Sequence, residues 1–454
     1  MKRRLLVGAG AAAAALAVLC AQAGAVIVQT PTGRVSYAPR NPAGPSAGAR
    51  AAGGNLIYHG GPVMHTNRAY AIFWDPGSAF PAGYTTLMSR YLGDVAADSG
   101  LSTNVYSVGT QYSDGAGRAG YGSTFGASLS DGDAYPPPGC PVVTGFTTCV
   151  TDAQLQAELD DFATANSLPR GLNSLYYVFL PAPVDLCVDV GTCFNNFFCA
   201  YHSYIDSAGT PTVYAALPYA SDIASCGTGQ HPNSGVSSTG DDELSGLSHE
   251  ANEAITDPQL DAWYDADEQE NADKCRNTAD DFGNPLGGTS GSLFNQLIQA
   301  DRYYIQQEWG NGAGACEQRN ALPTAVFAPP PATTAGSAAS FSGADSADSD
   351  GGISSFAWDF GDGAVSSGVA SSHAYAGAGT FNATLTVTDV NGFSASVTHP
   401  VSILATPAKH RKKCRRHKRH KRRCKRHRKP RAVSAESGRS WTRTRDLVLI
   451  RDAL

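Results

Sequence analysis

The stretch SHEANEAITDP, residues 248–258 of a 454-residue chain, gathers an imidazole and two carboxylates inside two turns of a helix. His249 and Glu253 stand four apart, so on a helix their side chains project from one face within a few ångströms, close enough to chelate one cation. Glu250 lies beside them, placed to act as a general base. A third ligand must come from farther along, and WYDADEQENADKC (263–275) offers Glu268, Glu270 and Asp273. Among residues outside the helix, His202 in FFCAYHS is the best nitrogen donor, although its aromatic neighbours also suit a packed structural histidine. The donor set fits zinc, with calcium or manganese as harder alternatives for a carboxylate-rich site. An acidic helix with a solvent-facing histidine has the same spacing, so the pattern by itself leaves metal-free readings open.

The elements that must position these groups can be read from periodicity. Thr239, with Asp242 three residues on, predicts a capped helix running to Pro258, which drives Asp257 out of helical geometry. Leu244, Leu247, Ala251 and Ile255 would form its packing face, with His249 and Glu253 nearly opposite. TDAQLQAELDDFATAN (151–166) predicts a second helix, with Leu155, Leu159 and Phe162 at helical spacing behind a Thr cap. LIYHGGPVM (56–64), AYAIFWD (69–75) and SLYYVFLPA (174–182) read as strands. Strands mixed with helices predict an α/β or α+β domain.

The chain opens with Lys2, Arg3 and Arg4, an Ala/Leu/Val run and small-residue cleavage sites, so residues 1–25 read as a secretory signal peptide. Residues 26–51, rich in Pro, Gly and Ala, read as a disordered linker. Eight of the 11 cysteines lie between positions 140 and 316. In an oxidising compartment they should form four disulfides. Of the 105 possible connectivities, pairing neighbours gives Cys140–Cys149, Cys187–Cys193, Cys199–Cys226 and Cys275–Cys316. Residues 409–431 hold 16 of the 34 Lys and Arg and no acid, leaving 18 basic against 40 acidic residues elsewhere. Residues 406–454 therefore read as a basic disordered tail, suited to an anionic wall polymer or membrane surface; export argues against nucleic acid.

Two resemblances refine the picture. Residues 323–405, with SFAWDFGDG, His373-Ala374-Tyr375, Gly379-Thr380-Phe381 and Thr388-Asp389, resemble a PKD domain. This implies an immunoglobulin-like β-sandwich serving as a spacer or as a glycan or protein contact. The ordered motifs LIYHGGPVM, FFCAYHS, SHEANEAITDP, AWYD, ENADKC and IQQEWGNGAGAC make residues 52–320 resemble the EXORDIUM-like (phosphate-induced protein 1) family. The resemblance singles out His202, His249, Glu250, Glu253, Glu270, Asp273 and Cys275 and implies an extracellular role. His249-Glu250 followed by Glu253 is similar to the zincin signature HExxH with glutamate for the second histidine, and NEAITD is similar to the NExxSD of thermolysin-type enzymes. Two functions are therefore expected as alternatives. One is a secreted zincin-like metallohydrolase acting on peptides or a cell-wall polymer; the other is a non-catalytic wall or matrix protein with a structural metal or none.

Overall fold

The computed structural model describes residues 27–40 and 54–408, apart from 222, 224, 238 and 277–280. The expected signal peptide and basic tail lie outside the described residues. The described residues up to Thr406 belong to one compact unit.

β-Branched and aromatic runs build a seven-stranded sheet from β1 (Ile27–Thr30), β2 (Gly33–Pro39), β3 (Asn67–Trp74), β4 (Ser123–Asp131), β5 (Ser174–Leu180), β6 (Phe198–Ser207) and β7 (Thr210–Pro218). Their spatial order is β1-β2-β6-β7-β5-β3-β4. Strands β7, β5, β3 and β4 run parallel, whereas β6 is antiparallel to both its neighbours. All seven residues of β5 are buried, as required of a strand covered on both faces.

Three helices cover the sheet: α1 (Tyr84–Ala97), α2 (Asp152–Ala165) and α3 (Asp241–Thr256). On one face Leu87 and Tyr91 of α1 and Leu244, Leu247 and Ala251 of α3 share a core with Ala215 and Leu217 of β7. On the other, Leu155 and Leu159 of α2 pack with Val178, Leu180 and Tyr214. Helix α2 begins as expected: Thr151 and Gln154 form a reciprocal capping box.

Two expectations are corrected here. Residues 27–39, assigned to a disordered linker, form β1 and β2, and Val35, Tyr37 and Ala38 are buried. Their Pro-Thr-Gly turn raised the local Pro/Gly content while the flanking β-branched residues formed a hairpin docked on β6. Helix α3 starts from Gly240 rather than Thr239 and has no side-chain cap. Its first-turn acids instead accept from the preceding loop: Asp241 from Asn233 N, Asp242 from Thr228 N and Glu243 from Ala220 N.

The four disulfides are Cys140–Cys149, Cys187–Cys193, Cys199–Cys226 and Cys275–Cys316, the nearest-neighbour pairing. Beyond residue 323 the chain forms a β-sandwich. One sheet has Ile353–Asp359, Val365–Ser367, Gly379–Asp389 and Ser394–Leu404 with Thr333–Thr334, and a smaller one pairs Ala339–Ser342 with Ala370–His373. Trp358, Phe341, Phe360, Tyr375 and Leu385 fill its core. Among the described residues, no helix is long and apolar enough to cross a membrane.

Candidate metal centre

Helix α3 packs across β6, β7 and β2. Leu244, Leu247 and Ile255 join the core cluster that α3 shares with α1 and β7, each burial contributing about 2 kcal/mol. Amphipathic spacing predicts one packed and one solvated face, but fifteen of the sixteen residues of α3 are buried. The polar face is roofed by segments 265–276 and 305–309, which are tied together by the Cys275–Cys316 disulfide. The 3-10 turn Asp273–Cys275 ends on that bond.

The roof delivers the third acid to the helix. His249 Nε2 lies 3.2 Å from Glu253 Oε1 and 3.3 Å from Asp273 Oδ1. Asp273 N donates to Glu253 Oε1 at 3.0 Å, and Glu270 N donates to Asp273 Oδ2 at 3.2 Å, which fixes both carboxylates. On the other side of the ring, His249 Nδ1 is 3.3 Å from Gln306 Oε1. The Gln306 amide is oriented by donation from its Nε2 to Ala272 O. Its oxygen can only accept, so Nδ1 carries a proton and, in the neutral ring, Nε2 presents a lone pair. That lone pair faces two carboxylate oxygens, and neither His249 Nε2 nor Asp273 Oδ1 has a hydrogen-bond partner. Only a proton or a cation between these atoms makes such an approach favourable. A proton serves one acceptor well; three donors at these separations match the edges of a tetrahedron about a zinc ion, about 3.4 Å for bonds near 2.1 Å.

His202 joins the same buried group from the sheet. Side chains alternate along β6, so His202 falls on the face of Ala200, toward α3. Its Nδ1 is 3.1 Å from Glu250 Oε2 and 3.6 Å from Glu253 Oε2, and its Nε2 is 3.7 Å from Glu270 Oε2. Six of the residues that the sequence singled out, His202, His249, Glu250, Glu253, Glu270 and Asp273, are thus brought together, each no more than 2% exposed. Sequence reasoning missed Gln306 and Glu308 at the centre and placed Asp257 only near the polar face of the helix. Gln306 fixes the His249 tautomer. Glu308 accepts from Asn271 Nδ2. Asp257, unwound from the helix by Pro258, caps the following turn through Asp261 N and Ala262 N. IQQEWG held Gln306 and Glu308 in view, but only the fold shows what they face.

Burial dominates the electrostatics. It pushes the Glu250 carboxyl up to about 8, with Asp273 adding to the rise, and Asp257 up to about 7. Glu253, Glu270 and Glu308 are held well above the usual carboxylate range by burial first and by a neighbouring charge second, Asp273 for Glu253 and Glu308 and Asp257 for Glu270. Burial lowers His202 to about 4, leaving the ring neutral. Neutral imidazoles among crowded carboxylates have the donor chemistry of a divalent-cation site, because a bound cation favours the ionised carboxylates that burial otherwise disfavours.

Other candidates fall outside. Glu268 is exposed. His59 stacks on Tyr264 at 3.6 Å, at the surface. His231 sits half-buried in its loop, 4.0 Å from Asp242. Two surface cavities also lie apart from the cluster, one beside Cys140, Val188 and Asp189 and one beside Phe73, Asp75 and Ser130.

Comparison with known proteins addresses the sandwich. Residues 320–404 match the PKD domain family. The microbial collagenase of Vibrio alginolyticus is 38% identical over 86 residues, which are 19% of this chain and 11% of that protein. The crystal structure of the PKD1 domain of Vibrio anguillarum Epp is 36% identical, covering 19% of this chain and all of that one, with a TM-score of 0.18. The PKD1 domain from the Vibrio cholerae metalloprotease PrtV is 35% identical, covering 18% of this chain and 98% of that one, with a TM-score of 0.17. The chain thus spans about a tenth of the length of the collagenase it matches. Residues 320–404 are a PKD domain, similar in sequence to a segment of that microbial collagenase.

Proposed function

We propose that this is a secreted, surface-associated protein whose residues 52–320, an EXORDIUM-like domain, hold a divalent cation, zinc first, between His249, Glu253 and Asp273. The PKD domain then serves as an accessory contact to extracellular glycan or protein. The observation that carries the reading is the His249 Nε2 lone pair, its tautomer set by Gln306, aimed at two carboxylate oxygens that lack other cationic partners in hydrogen-bonding range. A bound ion would supply the positive charge that a buried carboxylate cluster needs. Calcium or manganese would fit the same oxygens in a looser shell.

The closed burial of every donor favours an ion that ties the roof to the helix, in a non-catalytic wall or matrix protein, over one that meets substrate. Hydrolysis of peptides or a wall polymer is the second reading. It is favoured by Glu250, which a zincin-like site would use as general base and whose Oε1 has no partner. The basic tail would add attraction to an anionic wall polymer or membrane surface.

Metal content of the purified, oxidised full chain tests the proposal. One or more zinc ions per chain, lost in a folded His249→Ala variant, supports it, and no metal after exposure to zinc, calcium and manganese removes it. Peptidase activity abolished by Glu250→Gln, with the metal retained, would move the second reading ahead of the first.

A further inference from the structure

Glu253 has two carboxylate oxygens, and they face different histidines. Oε1 stands 3.2 Å from His249 Nε2; Oε2 stands 3.6 Å from His202 Nδ1 and has no hydrogen-bond partner. Donor atoms of His202, Glu250 and Glu253 converge within 4.8 Å of one another, and so do those of His249, Glu253 and Asp273.

We propose that the cluster is a two-metal centre, with a second divalent cation held by His202, Glu250 and Glu253, and with Glu253 bridging the two positions. The proposal rests on the metal-holding reading above and extends it.

Three observations carry it. First, the second group repeats the donor pattern of the first: one imidazole nitrogen and two carboxylates, each fully buried. Second, the orientation of His202 follows metal-site logic. With Nδ1 turned to Glu250 and Glu253, the opposite nitrogen faces the Glu270 carboxylate at 3.7 Å, outside hydrogen-bond distance but on the side where a ligating imidazole takes its outer partner. The competing assignment, a plain hydrogen bond from Nδ1 to Glu250, leaves the Nε2 lone pair turned toward that carboxylate and leaves Glu250 Oε1 and Glu253 Oε2 unpartnered. Third is the charge balance. Glu250, Glu253, Asp257, Glu270, Asp273 and Glu308 are buried together, and even if Arg276 and Lys274 are both counted against them, the excess when all are ionised equals the charge of two divalent ions. One ion would leave half of it to be neutralised by protonation, which burial already favours, whereas two would match it with every carboxylate ionised. A shared carboxylate is the usual means of holding two ions close in such centres. The assignment makes Glu250 a ligand and takes it out of the general-base role.

The test uses the full, oxidised chain, stripped of metal and reloaded with manganese(II). Ions per chain are counted by plasma mass spectrometry, and the electron paramagnetic resonance spectrum reports whether the ions are coupled. The expected result is two ions per chain with an exchange-coupled spectrum, falling to one uncoupled ion in His202→Gln, whose folding is checked by circular dichroism. One ion per chain with an isolated-ion spectrum overturns the second position while leaving the proposed function intact. Two uncoupled ions, or two retained in folded His202→Gln, also overturn it, and no bound ion overturns both proposals. If His202→Gln does not fold, the wild-type spectrum and stoichiometry decide.

Discussion

The two halves of the described chain solve burial differently. The sandwich hides Trp358, Phe341, Phe360, Tyr375 and Leu385, and its acids Asp348 and Asp350 lie only half-buried at the rim. The sheet-and-helix half hides aliphatic and aromatic side chains too, yet through its middle runs a helix whose polar face is as buried as its apolar one. Hydrophobic patterning accounts for the first core completely. The second needs something that patterning does not supply, because a crowd of carboxylates is stable in a dry interior only when protonated or when matched by cations. If this contrast is sound, the two halves should respond to different perturbations.

The largest expected effect is in the sandwich. Trp358 is 1% exposed and donates from Nε1 to Gly368 O, so Trp358→Ala should destabilise that half by about 3–5 kcal/mol. Calorimetry that resolves two transitions should show the sandwich transition falling and the other holding, with metal content unchanged. Chelation should do the reverse. Stripping an ion present at a thousand times its dissociation constant removes about 4 kcal/mol from the sheet-and-helix half and leaves the sandwich transition in place. If a chelator moves both transitions equally, or neither, the contrast fails.

A pH experiment sharpens it away from the metal ligands. Burial raises Glu243 to about 8, outweighing the hydrogen bond that Ala220 N donates to its carboxylate. Because the folded value lies above the unfolded one, its contribution is fully present below about pH 4.5 and is lost as pH rises through 8. Glu243→Gln should remove that loss, gaining about 3–4 kcal/mol on wild type between pH 5 and pH 8 in denaturant titrations; equal slopes in the two proteins would contradict it. The smallest effect is at the junction. Asn391 Nδ2 donates to the carbonyls of Ser107 and Val108, and Asn391→Ala should weaken the coupling of the two transitions by about 1 kcal/mol, seen as their melting temperatures drawing apart.

What the sequence revealed follows the range of each interaction. The α2 capping box, the end of α3 at Pro258 and the sandwich all depend on neighbours within a few residues or on strict alternation, and they were legible. The nearest-neighbour disulfides belong with them, since the longest spans 41 residues. The donor residues were legible by type and spacing, but their enclosure was not. The contact of His202 with Glu250 crosses 48 residues, and that of His249 with Gln306 crosses 57. No periodicity records such meetings. The β1–β2 hairpin was hidden for another reason: composition averaged over 26–51 diluted Ile27, Val28, Val35 and Tyr37, which alone would have pointed to strands.

The bond between Cys275 and Cys316 gives these parts an order of events. It clamps the turn carrying Asp273 to the segment that follows Gln306 and Glu308, so the donors from the roof are locked in place only after two sulfurs have been oxidised. A chain still in a reducing compartment would have the helix but not the clamp. On the proposed function, ion loading would be timed by redox state and follow export, with the choice of metal made from the supply outside the cell.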